Sequence, residues 1–398
     1  MKLLYVIDQK PDGYPGGIEY HLLDILGVFI KKRLPVHILF PEVNSLKLRH
    51  YDDYRIHEVS YGGGRLADHR LRDAAVEDVF NKVLDDIDAD TVHFQSIRTL
   101  PLSLIEIAKQ RKKRVLMTLH EYYFWCINCI MLAPEFCWFR EEEAVCHECL
   151  NRNGYKVQKG FVTERRKYIE HLFRIVDRVI VPSAYVRDVL LSLYPGVPRD
   201  KCIVIELGVD RELLQTNIRK NTAGKNGLLH LAFLGNFLHY KGNRTFLELV
   251  KYFRNSDAVR FSIIGNIFDP SLLPSNRNLN IAGGYTRDKI VKTIGEISPD
   301  LILLLSNWPE TFSYTLSEAI ASGVPVIATD GGALRERVSK EAVGFLVPIE
   351  NPLPRTIDLI EDVRQHPEVI GYFRERVWDA RKRLKTVDDM VEEIFALY

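Results

Sequence analysis

Two glutamates stand eight positions apart in "NWPETFSYTLSEA", residues 307–319: Glu310 and Glu318. Between them lie the hydroxyls of Thr311, Ser313 and Thr315 and the rings of Phe312 and Tyr314. The apolar run Leu301–Leu305 upstream reads as a buried strand, and a helix is expected to start near Thr315. The N–H groups at a helix start are unpaired and carry the positive end of the dipole, which suits a diphosphate. Glu310, in the loop, can accept hydrogen bonds from a sugar. Glu318, about one turn into the helix, can accept a pair from ribose hydroxyls. The plainer reading is that Glu318 complements the helix dipole and Glu310 is merely exposed.

Three other stretches offer comparable chemistry. In "LAFLGNFLHYKGN" (231–243) a strand delivers Gly235 and Asn236, and Lys241-Gly242 open the next helix. A lysine there is a point charge suited to phosphate, or else an exposed turn residue. In "PDGYPGGIEYH" (11–21) the pair Gly16-Gly17 lets backbone approach a ligand closely, or simply makes a turn. "TLHEYYFWC" puts His120 at the carboxyl end of a strand, where it can orient an acceptor or donate to a sugar hydroxyl; a capping or core histidine is the alternative.

Five of the six cysteines fall between 126 and 149. Cys126-x2-Cys129, sixteen residues, then Cys146-x2-Cys149 fits a zinc-ribbon template, with Cys137 as a fifth sulfur. Structural zinc is the favoured occupant, free or oxidisable thiols are the alternative, and a four-thiolate iron–sulfur cluster ranks below zinc. With five sulfurs competing, His147 is not expected to bind.

These residues need elements to hold them. Apolar runs at 2–8, 35–40, 91–95, 114–120, 178–183 and 202–207 are separated by helix-length sequence, and 18–32 has helical spacing. That is the pattern of a parallel sheet with helices on both faces. After the polar break 215–227 the pattern restarts at 229–235, 260–266, 279–284, 300–306 and 324–330. Two doubly wound α/β domains are expected, joined near 208–227, with the ligand outside the strands' carboxyl ends and in the cleft between domains. The domains divide as 1–207 (with a cysteine-rich insert at 122–152), 208–373, and a charged helix at 374–398 returning to the first domain.

The bulk properties narrow the classes. The 398 residues suit two domains. Fifty-four basic and 53 acidic side chains leave a net charge of +1, which gives no nucleic-acid signal. The basic runs "KQRKKR" (109–114) and "TERRKY" (163–168) read as solvated ends or as a patch toward an anionic membrane or acceptor. No signal peptide or membrane span stands out, so a cytoplasmic location with possible peripheral membrane contact is expected.

Taken together, "PETFSYTLSEAIASGVPVIATDGGALRERV", Gly235 with Lys241-Gly242, Gly16-Gly17, "VIVPSAYVRD" and "LGVD" resemble the family 4 retaining glycosyltransferases of the GT-B fold over nearly the full length. The resemblance implies a nucleotide-sugar donor, a glycan or lipid-linked acceptor, cell-surface polysaccharide or glycoconjugate synthesis, and no catalytic metal. It implies that Glu310 contacts the donor sugar and Glu318 the ribose. Thr311, Phe312, Ser313, Tyr314 and Thr315 would hold the diphosphate or sugar, and Lys241 would neutralise the leaving group. Gly16 and Gly17 would admit the donor phosphate or acceptor, and His120 would lie by the transferred sugar. Asn236 stands where many members have arginine, and "TFSYT" replaces a glycine-rich loop. A subset of the family has an aromatic segment leading into a cysteine-rich insert. Its pattern matches Cys126, Cys137, Cys146 and Cys149 and leaves Cys129 spare. Alternative functions are a GT-B nucleotide-sugar epimerase and, from another class, a zinc-ribbon nucleic-acid-binding protein.

Overall fold

A computed structural model describes residues 1–12, 16–42, 45–52, 55–62, 69–131, 137, 142–218 and 227–398. The chain forms two compact units, Met1–Glu206 with Asp388–Tyr398, and Leu207–Val387. Parts of three segments singled out in the sequence lie outside the described residues: the loop before Gly16, the middle of the cysteine-rich insert, and 219–226 of the break.

In the first unit the described strands are β1 (Leu3–Val6), β2 (Val36–Glu42), β3 (Ser45–Asp52), β4 (Arg55–Gly62), β5 (Thr91–Phe94), β6 (Arg114–Thr118), β7 (Arg178–Val181) and β8 (Cys202–Val204). They make one sheet in the order β4-β3-β2-β1-β5-β6-β7-β8. Strand β1, "LLYV", is wholly buried, as a central strand covered on both faces must be. From β2 through β1 to β8 the pairing is parallel. β2-β3-β4 is an antiparallel meander. This corrects the all-parallel expectation: Leu46 and Leu48 of β3 are buried while Glu58, Val59 and Ser60 of β4 are exposed, as at an antiparallel edge open to water.

The second unit holds β9 (Leu229–Leu234), β10 (Val259–Ile264), β11 (Leu279–Gly283), β12 (Leu301–Leu304), β13 (Val326–Thr329) and β14 (Gly344–Val347). All pairs are parallel, in the order β11-β10-β9-β12-β13-β14. Alternate residues of one strand feed two separate cores. Ala232, Leu234, Ile302 and Leu304 enter one, and Leu231, Phe233, Leu301 and Leu303 the other. The chain winds outward in both directions from β9 and β12, so the crevice at their carboxyl ends is a topological switch point. In the first unit β1 and β5 play the same part.

The segment 374–398, expected as a single helix, is divided. One helix, Glu368–Arg383, belongs to the second unit, and another, Val387–Phe395, follows a break at Leu384–Thr386 and packs in the first unit from Asp388 onward. The break is pinned by Val209, which bonds Lys385 O and Val387 N. Both basic runs are engaged within the protein. Lys109, Arg111 and Lys113 pair with Asp177, Asp85 and Asp88, and Arg165 is buried on the carbonyl of Tyr123. Among the described residues no helix is long and apolar enough to cross a membrane.

Candidate active site

Strand β12 ends at Leu304, and the loop 305–313 carries the chain to a helix at Tyr314–Ala321. Ser313 caps that helix from a left-handed backbone (φ 75°), its hydroxyl accepting from Leu316 N at 3.4 Å and meeting Thr315 Oγ1 at 3.0 Å. A side chain other than glycine is strained there, a cost typical of ligand-binding loops. Arg337, 5% exposed, fixes the loop from below. Its guanidinium donates to the carbonyls of Phe312 (3.1 Å) and Ser313 (2.9 Å) and to Ser317 Oγ (2.8 Å), and lies 4.0 Å from the Phe312 ring centre.

Glu310 is 3% exposed. Lys241 Nζ donates to its Oε1 at 2.8 Å, and Ser306 donates to the same oxygen. Burial works to raise the pKa of this carboxyl, but Lys241 and the hydroxyls of Ser306 and Ser313 outweigh it, so the net shift is downward. Lys241 is placed by Gly242, whose φ of +85° ends a helical turn where a Cβ would lie 1.9 Å from the Leu305 carbonyl oxygen. Only glycine lets the lysine loop run this close to the end of β12. Gly235 (φ +108°) closes β9 beneath Thr315, 3.0 Å from where its Cβ would stand. Asn236, next to it, is exposed and accepts from Asn266 Nδ2 at 3.1 Å.

Glu318 lies buried in the following helix. Burial raises its pKa, against the Tyr285 hydroxyl, which donates at 2.9 Å, and the charges of Arg287 and Lys241. Arg287 also stacks 4.8 Å from the Tyr314 ring centre. Thus Glu310, Thr311, Phe312, Ser313, Tyr314, Thr315, Glu318, Lys241, Gly235 and Asn236 all belong to the carboxyl end of the second sheet. The result is a buried anion–cation pair beside a capped helix start, with a second carboxylate one turn on. Sequence reading missed Arg337, Tyr285, Arg287 and Asn266. The one available signal was position: Tyr285 and Asn266 follow strand ends.

The first unit collects its own polar group at the carboxyl ends of β1, β5 and β6. His120 bonds Gln95 Oε1 through Nε2 at 2.8 Å, and its ring sits 4.8 Å from that of His21. Burial drives the His120 pKa down to about 3, so its ring is neutral. Arg98 donates to Asp8 Oδ2 at 2.5 Å, while Asp8 Oδ1 is buried with no hydrogen-bond partner among the described residues. Glu121 accepts from Tyr123 N at 2.7 Å; burial raises its pKa to about 7, with Arg98 opposing. Gly16 and Gly17 start the helix Gly17–Lys31, where Gly16 N donates to Glu19 Oε2 at 2.7 Å. Asp8, Gln95, Arg98 and Glu121 were missed, although each lies within five residues of an apolar strand.

The cysteines divide. Cys126, Cys137 and Cys146 line one narrow cavity of about 40 Å³. Cys146 interacts with Cys149, while Cys129 stands apart beside Glu121 and Arg98. All six cysteines are free thiols, and burial pushes the Cys126 thiol up to about 11. Among the described residues no group of three His, Cys, Asp or Glu could hold a metal ion. The expected zinc or iron–sulfur site is therefore not supported.

Two α/β units, each with polar groups at the carboxyl ends of its strands, are the two-domain fold expected of the GT-B class. Comparison with known sequences fixes the family. A model described as "Glycosyltransferase Family 4" matches residues 15–213, and one described as "Glycosyl transferases group 1" matches 215–372. The chain belongs to glycosyltransferase family 4.

Among its relatives is a GDP-mannose-dependent alpha-mannosyltransferase of Mycobacterium tuberculosis, 26% identical over 50% of this chain and 52% of that protein. Another is the putative colanic acid biosynthesis glycosyl transferase WcaC of Escherichia coli, 26% identical over 66% of this chain and 67% of that one. The chain thus spans about half to two thirds of the curated relatives it matches. The fold is shared with Anabaena Alr3699/HepE in complex with UDP, at a TM-score of 0.64 and 14% identity, covering 100% of this chain and 99% of that one.

Proposed function

We propose that the protein transfers a hexosyl group, with retention, from a nucleotide-diphosphate sugar to a glycan or lipid-linked acceptor, working in the cytoplasm or at the cytoplasmic face of a membrane. The observation that carries this reading is the pair of half-buried Lys241 with buried Glu310 at the switch point of the second sheet, beside the start of helix Tyr314–Ala321. Lys241, the Ser313 and Thr315 hydroxyls and the helix-start amides take the diphosphate. Glu318, which already accepts from Tyr285, takes the ribose hydroxyls. Glu310 takes hydroxyls of the donor sugar. As the bond from the anomeric carbon to the phosphate oxygen breaks, negative charge grows on the leaving diphosphate. Fixed donors stabilise it without reorganising. The acceptor hydroxyl attacks from the same face and passes its proton to the departing phosphate oxygen. His120, in the first unit, hydrogen-bonds a hydroxyl of the sugar substrates. The relative named for colanic acid biosynthesis supports a polysaccharide or glycoconjugate product.

The test is a thermal-shift panel with UDP, GDP, dTDP, ADP and CMP, alone and as sugars. One base is expected to raise the melting temperature, since a ligand of the folded state must. Glu318→Ala should lose that shift, and Glu310→Ala should keep it while losing turnover. Wild-type transfer rates in both variants would remove the assignment.

A further inference from the structure

One guanidinium in the second unit meets three groups at once. Arg287 opens the short turn Arg287–Lys289, just beyond β11. Its central carbon lies 4.8 Å from the ring centre of Tyr314, the first residue of the helix Tyr314–Ala321. Its charge opposes the cost of burying the Glu318 carboxylate, one turn along that helix, to which the Tyr285 hydroxyl also donates. Its Nη2 donates to the carbonyl of Gly208 at 3.3 Å.

Gly208 sits where the chain enters the second unit, which runs from Leu207 to Val387. The exit of that unit is bonded to its entry. Val209 N donates to Lys385 O at 2.9 Å, and Val387 N donates to Val209 O at 3.1 Å. A Cβ on Gly208 would lie 2.6 Å from the Thr386 carbonyl oxygen and from Val387 N and Cα, so only glycine fits between the two passages. Entry and exit form one joint, and Arg287 is hydrogen-bonded to it. A guanidinium is flat and its donors point in fixed directions, so it cannot follow Gly208 and keep its place over Tyr314. A shift at the joint is felt at the start of the Tyr314 helix, and an occupant that fixes Tyr314 and Glu318 is felt at the joint. Such coupling is reciprocal.

We propose that Arg287 is a positioning residue that ties the donor site to this joint: it sets Tyr314 and Glu318 for the nucleotide and carries the occupancy of that site to the Gly208 peptide. The proposal rests on the donor-site reading given above and adds what holds the site and where its filling is registered. An arginine that only balanced the charge of Glu318 would be replaceable by lysine.

The experiment is hydrogen exchange of the full-length protein, read by mass spectrometry in peptides that contain Val209 and Val387, without nucleotide and with UDP, GDP, dTDP, ADP or CMP at saturation. Wild type should bind at least one of the five, and that one should slow exchange at both amides at least about fivefold, the lower end of typical coupling. Arg287→Lys keeps the charge and loses the flat fork. It should bind the same nucleotide roughly fivefold to tenfold more weakly, the scale of one hydrogen bond, and lose the slowing even when saturated. Arg287→Met should do the same, so misfolding of one variant leaves the other as the test. Gly208→Ala crowds the joint and should weaken the nucleotide by a similar factor, with Tyr314 and Glu318 untouched. Slowing that persists in a folded, saturated Arg287 variant, or joint amides that ignore a nucleotide bound to wild type, overturns the proposal. No binding of any of the five by wild type removes the donor-site reading and the proposal together. Glu318→Ala that binds like wild type, with the slowing lost only in the Arg287 variants, removes the ribose contact and leaves the tie standing.

Discussion

Lys241→Met keeps the apolar stem of the side chain and deletes the ammonium. What it leaves behind is Glu310, 3% exposed, with only hydroxyl donors. Removing one partner of a buried ion pair costs about 3–5 kcal/mol. Lys241 is 24% exposed, and solvent reaching it screens part of that, so a loss of about 2–3 kcal/mol is expected at pH 7.5. In wild type the Glu310 pKa lies below 4.5, so the pair stabilises the fold above that value and the gain is lost as pH falls through the folded pKa. In the variant burial prevails and the pKa moves above 4.5. The folded state then holds the proton more tightly than the unfolded chain, and the loss shrinks as pH drops toward 4.5. Urea unfolding read from Trp308, which packs edge-on against Tyr240 beside Lys241, measures this at the two ends of the range. Lys241→Met/Glu310→Gln removes the orphaned charge and should recover at least half of the loss at pH 7.5. Strict additivity of the two substitutions, with no pH dependence, would refute the claim that the pair is the electrostatic centre of the site.

Gly242→Ala should destabilise the second unit by at least about 2 kcal/mol, because the φ of +85° and the Leu305 carbonyl both reject a Cβ; an unchanged urea midpoint would count against this close approach. Glu121 ionises at about 7 in the fold and near 4.5 when unfolded. Its folded pKa is raised, so wild-type stability should decline as pH rises from 4.5 to 7. The gap of 2.5 (7 − 4.5), at about 1.4 kcal/mol per pH unit, bounds the effect at about 3 kcal/mol. Glu121→Gln should flatten that decline and be the more stable protein at pH 8, as denaturant titrations across the range will tell.

The strands that hold the second site were legible because each is a continuous apolar run ending in glycine or serine. Gly235 and Ser306 mark the strand ends, and Lys241 and Glu310 follow each by a few residues. Their mutual contact was not written in either stretch; it arises because β9 and β12 are neighbours in the sheet. Arg337 escaped for a similar reason. It is one arginine among several on a polar helix, and only packing shows that it holds the carbonyls of a loop some twenty-four residues earlier. The meander β3–β4 was hidden because "SLKLRHYD" and "RIHEVSYG" carry too many charges to stand out as apolar runs, and only 45–49 alternates cleanly. Among the cysteines, spacing alone fitted a zinc ribbon through Cys129. The fold instead turns Cys129 toward Glu121, a choice made by Tyr122 N, which binds the Cys129 carbonyl at 3.0 Å.

The first unit is interrupted in sequence: it ends at Glu206 and resumes at Asp388. On the ribosome, the residues between must be made before Tyr398 can reach Tyr5 and His93. At about 5–20 residues per second that is a delay of roughly 10–40 s. Throughout it, His93 and the Tyr5 hydroxyl wait at the floor of the nascent sheet for a partner that has not yet been synthesised. The later-made unit has time to fold first, and the first closes last, around it in the chain. A ribosome pause after residue 206 would lengthen that wait, since the helix Val387–Phe395 can dock only after the second unit has been made.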